Sequence, residues 1–183
     1  MAKTAIGCVE TNVMARGLLT ADAMVKAAEI ELLFSAPVCP GKYVIMIRGT
    51  VASVKSSLDA GARIAGETLT SSVLIPNVHP EVFPAINGTT VVNQIRAIGM
   101  IETYSAPSAV MAADEAIKSA KIRLIEIRLS RALGGKAFAL FTGEVSAVRA
   151  AISAGVNRIK DEGLVLSTAL IPAPHKDLIK HLL

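Results

Sequence analysis

The sequence predicts an α/β (α+β) chain of two tandem ferredoxin-like domains, each running β-α-β-β-α-β, and three observations carry that prediction. The first is an internal repeat: "AIGCVET" at Ala5–Thr11 returns as "AIGMIET" at Ala97–Thr103, and "ADAMVKAAEI" at Ala21–Ile30 returns as "ADEAIKSAKI" at Ala113–Ile122, both at an offset of 92 residues. The second is how the offset grows. It is 94 between "GTVASVKSSLDAG" and "GEVSAVRAAISAG", where a two-residue difference in the preceding hairpin accounts for it, and 96 between "LIPNVH" and "LIPAPH". A period this long marks duplication of a whole domain, since solenoid units run to about 20–50 residues. The third is the alternation, within each copy, of short apolar runs with stretches of helical spacing. Residues 1–88 are then the first domain, 95–183 the second and 89–94 the linker.

Ala5–Thr11, rich in small and branched residues, opens the first domain as a strand. Leu18–Glu29 follows with helical spacing and Ala-rich packing, and Thr20 is its expected cap. Glu31–Val38 and Tyr43–Arg48 are apolar runs separated by Pro40-Gly41, which makes a hairpin. Val51, Val54, Leu58, Ala62 and Ala65 recur at three- and four-residue intervals, the stripe of a helix lying on a sheet. "SSVLIP" is a last strand, ended by proline. The second copy repeats this order through Ile171 and adds a short helix over His175–Leu183. Order of elements places each copy among split β-α-β folds. It names no function.

Composition excludes several classes. The 183 residues carry 19% charged and 52% hydrophobic side chains with a net charge of +4, the balance of a globular chain. No apolar stretch approaches the roughly 18 residues of a spanning helix, and "MAKTAIGCVE" has neither the apolar run nor the cleavage site of a signal peptide. A cytoplasmic location without a membrane partner is expected. The basic residues are scattered among acids, with no Trp and two Tyr, so no nucleic-acid partner is expected either. Two cysteines, Cys8 and Cys39, do not make a disulfide framework. Cys8 lies inside the first strand and its repeat partner is Met100, which marks it as a buried apolar residue.

The set "AIGxxET", "DAMVKAA", "GK" before an apolar strand, "RGTVASVKSSLDAG" and "LIPxxH" resembles the bacterial microcompartment shell domain, over nearly the whole chain and twice in tandem. The resemblance implies a structural shell protein rather than an enzyme. Three chains would close into a pseudohexameric plate, and plates would tile with other microcompartment shell proteins into a shell in the bacterial cytoplasm. Within the family, "CPGK" is similar to the hairpin of the iron–sulfur-binding tandem shell proteins of propanediol-utilisation compartments. That implies a central pore lined by Val38, Cys39, Pro40 and Gly41 of the first copy and by Leu133, Gly134 and Gly135 of the second. It also implies one [4Fe–4S] cluster per homotrimer, bound by Cys39 of each chain. The fourth iron would take a ligand that is not a cysteine of this chain, and an encapsulated or cytosolic redox enzyme would exchange electrons with the cluster or receive it.

Ligand chemistry agrees with a shared site if Cys39 binds metal. Iron–sulfur clusters usually take four thiolates, often several from one chain at short spacing, and this chain cannot supply them alone. Other readings of Cys39 stay open at this point: an inert thiol at the lip of an open pore for small metabolites, or a nucleophile in a cytosolic ferredoxin-like enzyme or regulator, which needs a base within reach. Pro40 stiffens the turn and Gly41 lets backbones crowd together. The equivalent second tip, "ALGG" at Ala132–Gly135, has no ligand.

Lys26 and Lys118 share one repeat position, and His79 and His175 another; the resemblance implies that all four lie at the shell edge. The family commonly has arginine two residues before that histidine, where this chain has Asn77 and Ala173. Loss of a planar multidentate donor weakens tiling. Glu10 and Glu102 sit at equivalent strand ends and are expected to be structural. "RGT" and "TGE" open helices after strands but lack the glycine pattern of a phosphate loop.

Overall fold

The computed structural model describes residues 4–130 and 132–182. Side-chain alternation along the first strand, β1 (Ala5–Thr11), decides what each face meets. Gly7 faces the helices so closely that an added Cβ would lie 2.8 Å from Val54 Cγ1, which is why both "AIG" motifs carry glycine at this point. Cys8 and Glu10 take the opposite face. β1 is followed by α1 (Met14–Ala27), β2 (Glu31–Val38), β3 (Lys42–Gly49), α2 (Val51–Ala65) and β4 (Leu69–Ile75). The sheet order is β2-β3-β1-β4 with every pair antiparallel. Val9, Met24, Ile45, Ile47, Val54 and Leu58 fill the core between sheet and helices.

Two expectations for this copy change. The first helix begins a turn earlier than Leu18 and ends at Ala27. Thr20 is not its cap; it is buried inside the helix, its hydroxyl donating to the Arg16 carbonyl at 2.9 Å. The N-cap residue, Val13, makes no side-chain cap, so the start carries none of the usual sequence signal. In α2 the predicted span is observed, with Thr50 capping the Ser53 N–H. The stripe is rotated slightly: Val54, Leu58 and Ala65 are buried, but Val51 is exposed and the inner face is completed by Ser57, Ala60 and Gly61.

The second copy contains β5 (Ala97–Thr103), α4 (Ala106–Ser119), β6 (Ile122–Arg128), β7 (Ala137–Gly143), α5 (Val145–Ile159) and β8 (Val165–Ile171). Its sheet order, β6-β7-β5-β8, repeats that of the first copy. Here the helix start is legible, because Ser105 caps the Ser108 N–H and Pro107 lies in the first turn. The expected C-terminal helix is shorter than His175–Leu183: α6 spans Lys176–Ile179, and Leu183 lies outside the described residues.

Packing divides the chain differently from the repeat. One compact unit runs through Val78 and takes in Ser130–Gly135; the other comprises His79–Leu129 and the chain from Lys136 onward. The sequence assigns residues up to 88 to the first domain. In the structure α3 (Val82–Asn87), an element the sequence does not announce, packs in the second unit against β6 and α4. Val82 and Ala85 are buried there. A segment belongs to the core that its apolar face covers, whichever repeat it follows.

Candidate functional site

Cys39 is placed by the β2–β3 hairpin, whose ladder runs from Glu31↔Arg48 to Val38↔Lys42 and leaves Cys39, Pro40 and Gly41 as the tip. Val38 is buried; Cys39, Pro40 and Gly41 are exposed. The Cys39–Pro40 peptide is cis, and Gly41 has φ of 79°, in the left-handed region that glycine tolerates. An added Cβ at Gly41 would meet nothing within 4 Å, so the tip has open space beside it.

The same compact unit holds the second tip against the first. The Cys39 N–H donates to the Ser130 carbonyl at 3.2 Å. A Cβ at Gly135 would come within 2.7 Å of Pro40 Cδ, and Gly135 is buried while Gly134 is exposed and Leu133 half-buried. Ser130, Ala132, Gly134 and Gly135 all have positive φ, between 53° and 85°. Two non-glycine residues in that region mark a constrained loop. The structure thus brings together Val38, Cys39, Pro40 and Gly135 of the predicted pore-loop set, and it adds Ser130, which sequence reasoning did not select. Beside the tip lies an open depression of about 460 Å³ lined by Met14, Ala36–Gly41 and Ala132. The side chains that line it are apolar except for the thiol.

Among the described residues no group of three His, Cys, Asp or Glu could hold a metal ion. Cys8 cannot help: it is fully buried in β1, and burial, followed by the Glu10 carboxylate, pushes its thiol well above the ordinary range. A thiol so buried and so hard to ionise is unsuited to be a ligand. A cluster at Cys39 therefore fits the donor set only if other chains bring their own thiols.

Glu10, expected to be structural, is buried at the end of β1. Its buried carboxylate is 2.8 Å from Lys42 Nζ and accepts the Thr70 hydroxyl at 3.1 Å, tying the base of the hairpin to β1 and β4. This links the tip's foundation to the sheet.

The four residues expected at the shell edge form two pairs equivalent in sequence but not in surroundings. Lys26 is 72% exposed and pairs with exposed Asp22 at 2.6 Å. Lys118 is half-buried and pairs at 2.5 Å with Asp114, which is only 5% exposed. Asp114 also accepts the His79 N–H at 2.7 Å. His79 and His175 share one local turn: each ring Nδ1 accepts the N–H two residues on, from Glu81 and from Asp177, both at 3.3 Å. His175 is well exposed and His79 half-buried. Asn77 has φ of 51°, and Ala173 is exposed. Asp114, missed from the sequence, was detectable as the acid one turn before Lys118, repeated at Asp22 before Lys26.

The family model described as the BMC domain matches the chain twice, at residues 5–78 and 97–174. The chain is 35% identical over 174 residues to the bacterial microcompartment shell protein PduT of Citrobacter freundii, covering 95% of each. It is 30% identical over 190 residues to the carboxysome assembly protein CcmO of Synechococcus elongatus, covering 97% of this chain and 68% of that one. The crystal structure of a microcompartments protein from Desulfitobacterium hafniense DCB is similar at a TM-score of 0.89 and 44% identity, covering 98% of this chain and 99% of that one. The first two of these relatives are a shell protein and an assembly protein, not enzymes. With both repeats matched and the whole length shared, the chain belongs to the BMC-domain family and is a tandem-domain structural shell protein of a bacterial microcompartment.

Proposed function

We propose that three chains close into a pseudohexameric shell plate in which the three Cys39 thiols bind one [4Fe–4S] cluster. The observation that carries this reading is the asymmetry of the tips. Cys39 is exposed on the first tip, the second tip, Ala132–Gly135, offers no sulfur, and the other thiol of the chain, Cys8, is buried and hard to ionise. Heterologous contacts close a ring when the rotation allows it, and a threefold ring turns one thiol per chain into three. A bound cluster supplies one-electron chemistry at the plate centre, for transfer across the shell or for delivery of the cluster to a redox enzyme. The role of this chain is to hold the sulfurs: the Cys39 N–H bond to Ser130 and the contact of Gly135 with Pro40 fix the tip that carries them. Lys26 lies on the exposed helix face and is proposed to contact neighbouring plates.

A second reading, a plate with an open pore, is favoured by the small exposed tip residues Gly41 and Gly134. One experiment separates the two. After anaerobic reconstitution, iron and sulfide are counted per three chains and the visible absorption is recorded for the parent and for Cys39→Ser. About four irons per three chains in the parent, and near-complete loss in the variant, are expected because serine is a poor ligand for iron. Equal iron in both would leave the open pore.

A further inference from the structure

The net charge of the chain is not shared between its copies. Residues 1–88 carry seven basic and seven acidic side chains and residues 95–183 carry twelve and eight, so the whole excess of positive charge lies in the second copy. Part of it gathers in one place. At the ends of β6 and β7 remote from the Ala132–Gly135 tip, where Ile122 pairs with Gly143, an open depression of about 400 Å³ is lined by Arg96, Lys121, Arg123, Thr142 and Glu144. The first copy has the same depression, of about 730 Å³, beside Ile30, Gly49 and Thr50. Its charge is the reverse. Thr4, Glu29 and Glu31 stand where the second copy has Arg96, Lys121 and Arg123, and Arg48 there is held by Glu31 at 2.6 Å.

We propose that the depression of the second copy binds a small phosphoryl anion, inorganic phosphate, pyrophosphate or a phosphate ester, between Arg96, Lys121 and Arg123. Two guanidinium forks and one ammonium are the donor set that such an anion takes, and a hollow of this size suits a small molecule. Lys121 is exposed and makes no ion pair among the described residues. Arg123 is paired through Nε with Glu81 Oε2 at 3.3 Å, and Arg96 is paired with Glu144. Those carboxylates take up part of the two guanidinium charges, and Lys121 leaves the depression net positive. Arg96 and Glu144 are both more than half exposed, so their pair is weak and a doubly charged anion displaces Glu144 from it. The start of α5 adds to the same field: Glu144 makes no side-chain cap, whereas Thr50 caps the Ser53 N–H at the start of α2. The site lies about 20 Å along the strands from the second tip, at roughly 3.3 Å per residue, and is independent of any cluster at Cys39.

Isothermal titration calorimetry of the full chain with pyrophosphate at low ionic strength tests this. One site per chain is expected. Lys121→Glu, which puts the first copy's residue into the depression, is expected to weaken binding at least about tenfold, and Arg96→Gln about three- to tenfold. Glu144→Gln removes the competing carboxylate and is expected to tighten binding about threefold, the opposite sign. Circular dichroism melting checks the fold of each variant; Lys121 and Glu144 are exposed and Glu144 caps nothing, so the parent's melting is expected for both. A parent that takes up no pyrophosphate, or one whose affinity Lys121→Glu leaves unchanged, would overturn the site. So would uptake of several pyrophosphates per chain that neither Arg96→Gln nor Glu144→Gln alters, since diffuse attraction to a basic surface behaves in that way.

Discussion

The first copy carries its thiol on an exposed hairpin tip and leaves the α1–β2 edge open, whereas the second copy has Ala132–Gly135 at its tip and buries the α4–β6 edge. The sheets and their order are the same. Duplication therefore preserved the scaffold and let the two surfaces diverge: one copy exposes a thiol and an apolar helix face, and the other buries the equivalent face. Single domains in a symmetric ring would place the same tip at six positions. A tandem chain can place a ligand at alternate positions only, and three is a number that a cluster with one non-cysteine ligand can use.

The largest effect that probes this contrast is in the cores. Phe141 and its repeat partner Ile47 are both fully buried. Phe141→Ala is expected to cost about 4 kcal/mol and Ile47→Ala about 3 kcal/mol, since the larger void retains more unfilled volume. Because the two units need not unfold together, hydrogen exchange followed by mass spectrometry should show each loss confined to its own unit. Loss spread equally over both units would mean that the copies are not separate cores.

A smaller effect distinguishes the edges. Lys118→Asp sets a second carboxylate beside the nearly buried Asp114 and is expected to cost about 2 kcal/mol in a urea titration. Lys26→Asp, on the exposed pair with Asp22, is expected to cost about 0.5 kcal/mol. If Lys26 contacts neighbouring plates as proposed, electron micrographs of this variant should also show fewer sheets or tubes. Equal destabilisation by the two variants would mean that the edges are alike after all.

The smallest effect separates the thiols. Cys8→Ala removes one buried sulfur and is expected to cost about 1 kcal/mol without changing iron content. In the folded parent without iron, iodoacetamide should modify Cys39 and spare Cys8, read as one adduct per chain by mass spectrometry, because only a thiolate within reach of solvent reacts. Two adducts in the native protein would show that the first strand opens.

Much of this molecule is local and was therefore legible. Strand alternation, the helical span of Val51–Ala65 and the Pro40-Gly41 turn depend on residues a few positions apart, and the structure shows each of them, with the helix's buried stripe turned slightly from the expected one. Cys39 at an exposed tip and Cys8 in a buried strand follow from the same local reading. The start of α1 was not legible, because Val13 offers no capping side chain; the equivalent start in the second copy, with Ser105 and Pro107, illustrates what the missing signal looks like.

The sequence by itself determined the duplication, the order of elements in each copy and which tip bears the thiol, because these are set by periodicity and by the intrinsic geometry of glycine and proline. Tertiary structure alone decided that His79 and α3 belong to the second unit, that Lys118 is half-buried while Lys26 is exposed, that Ser130 braces Cys39, and that Leu18 is bare where Val110 is covered. The physical reason is that burial is a property of what a surface meets. Two repeats with matching residues acquire different exposure, pairing and reactivity as soon as one of them is covered and the other is not.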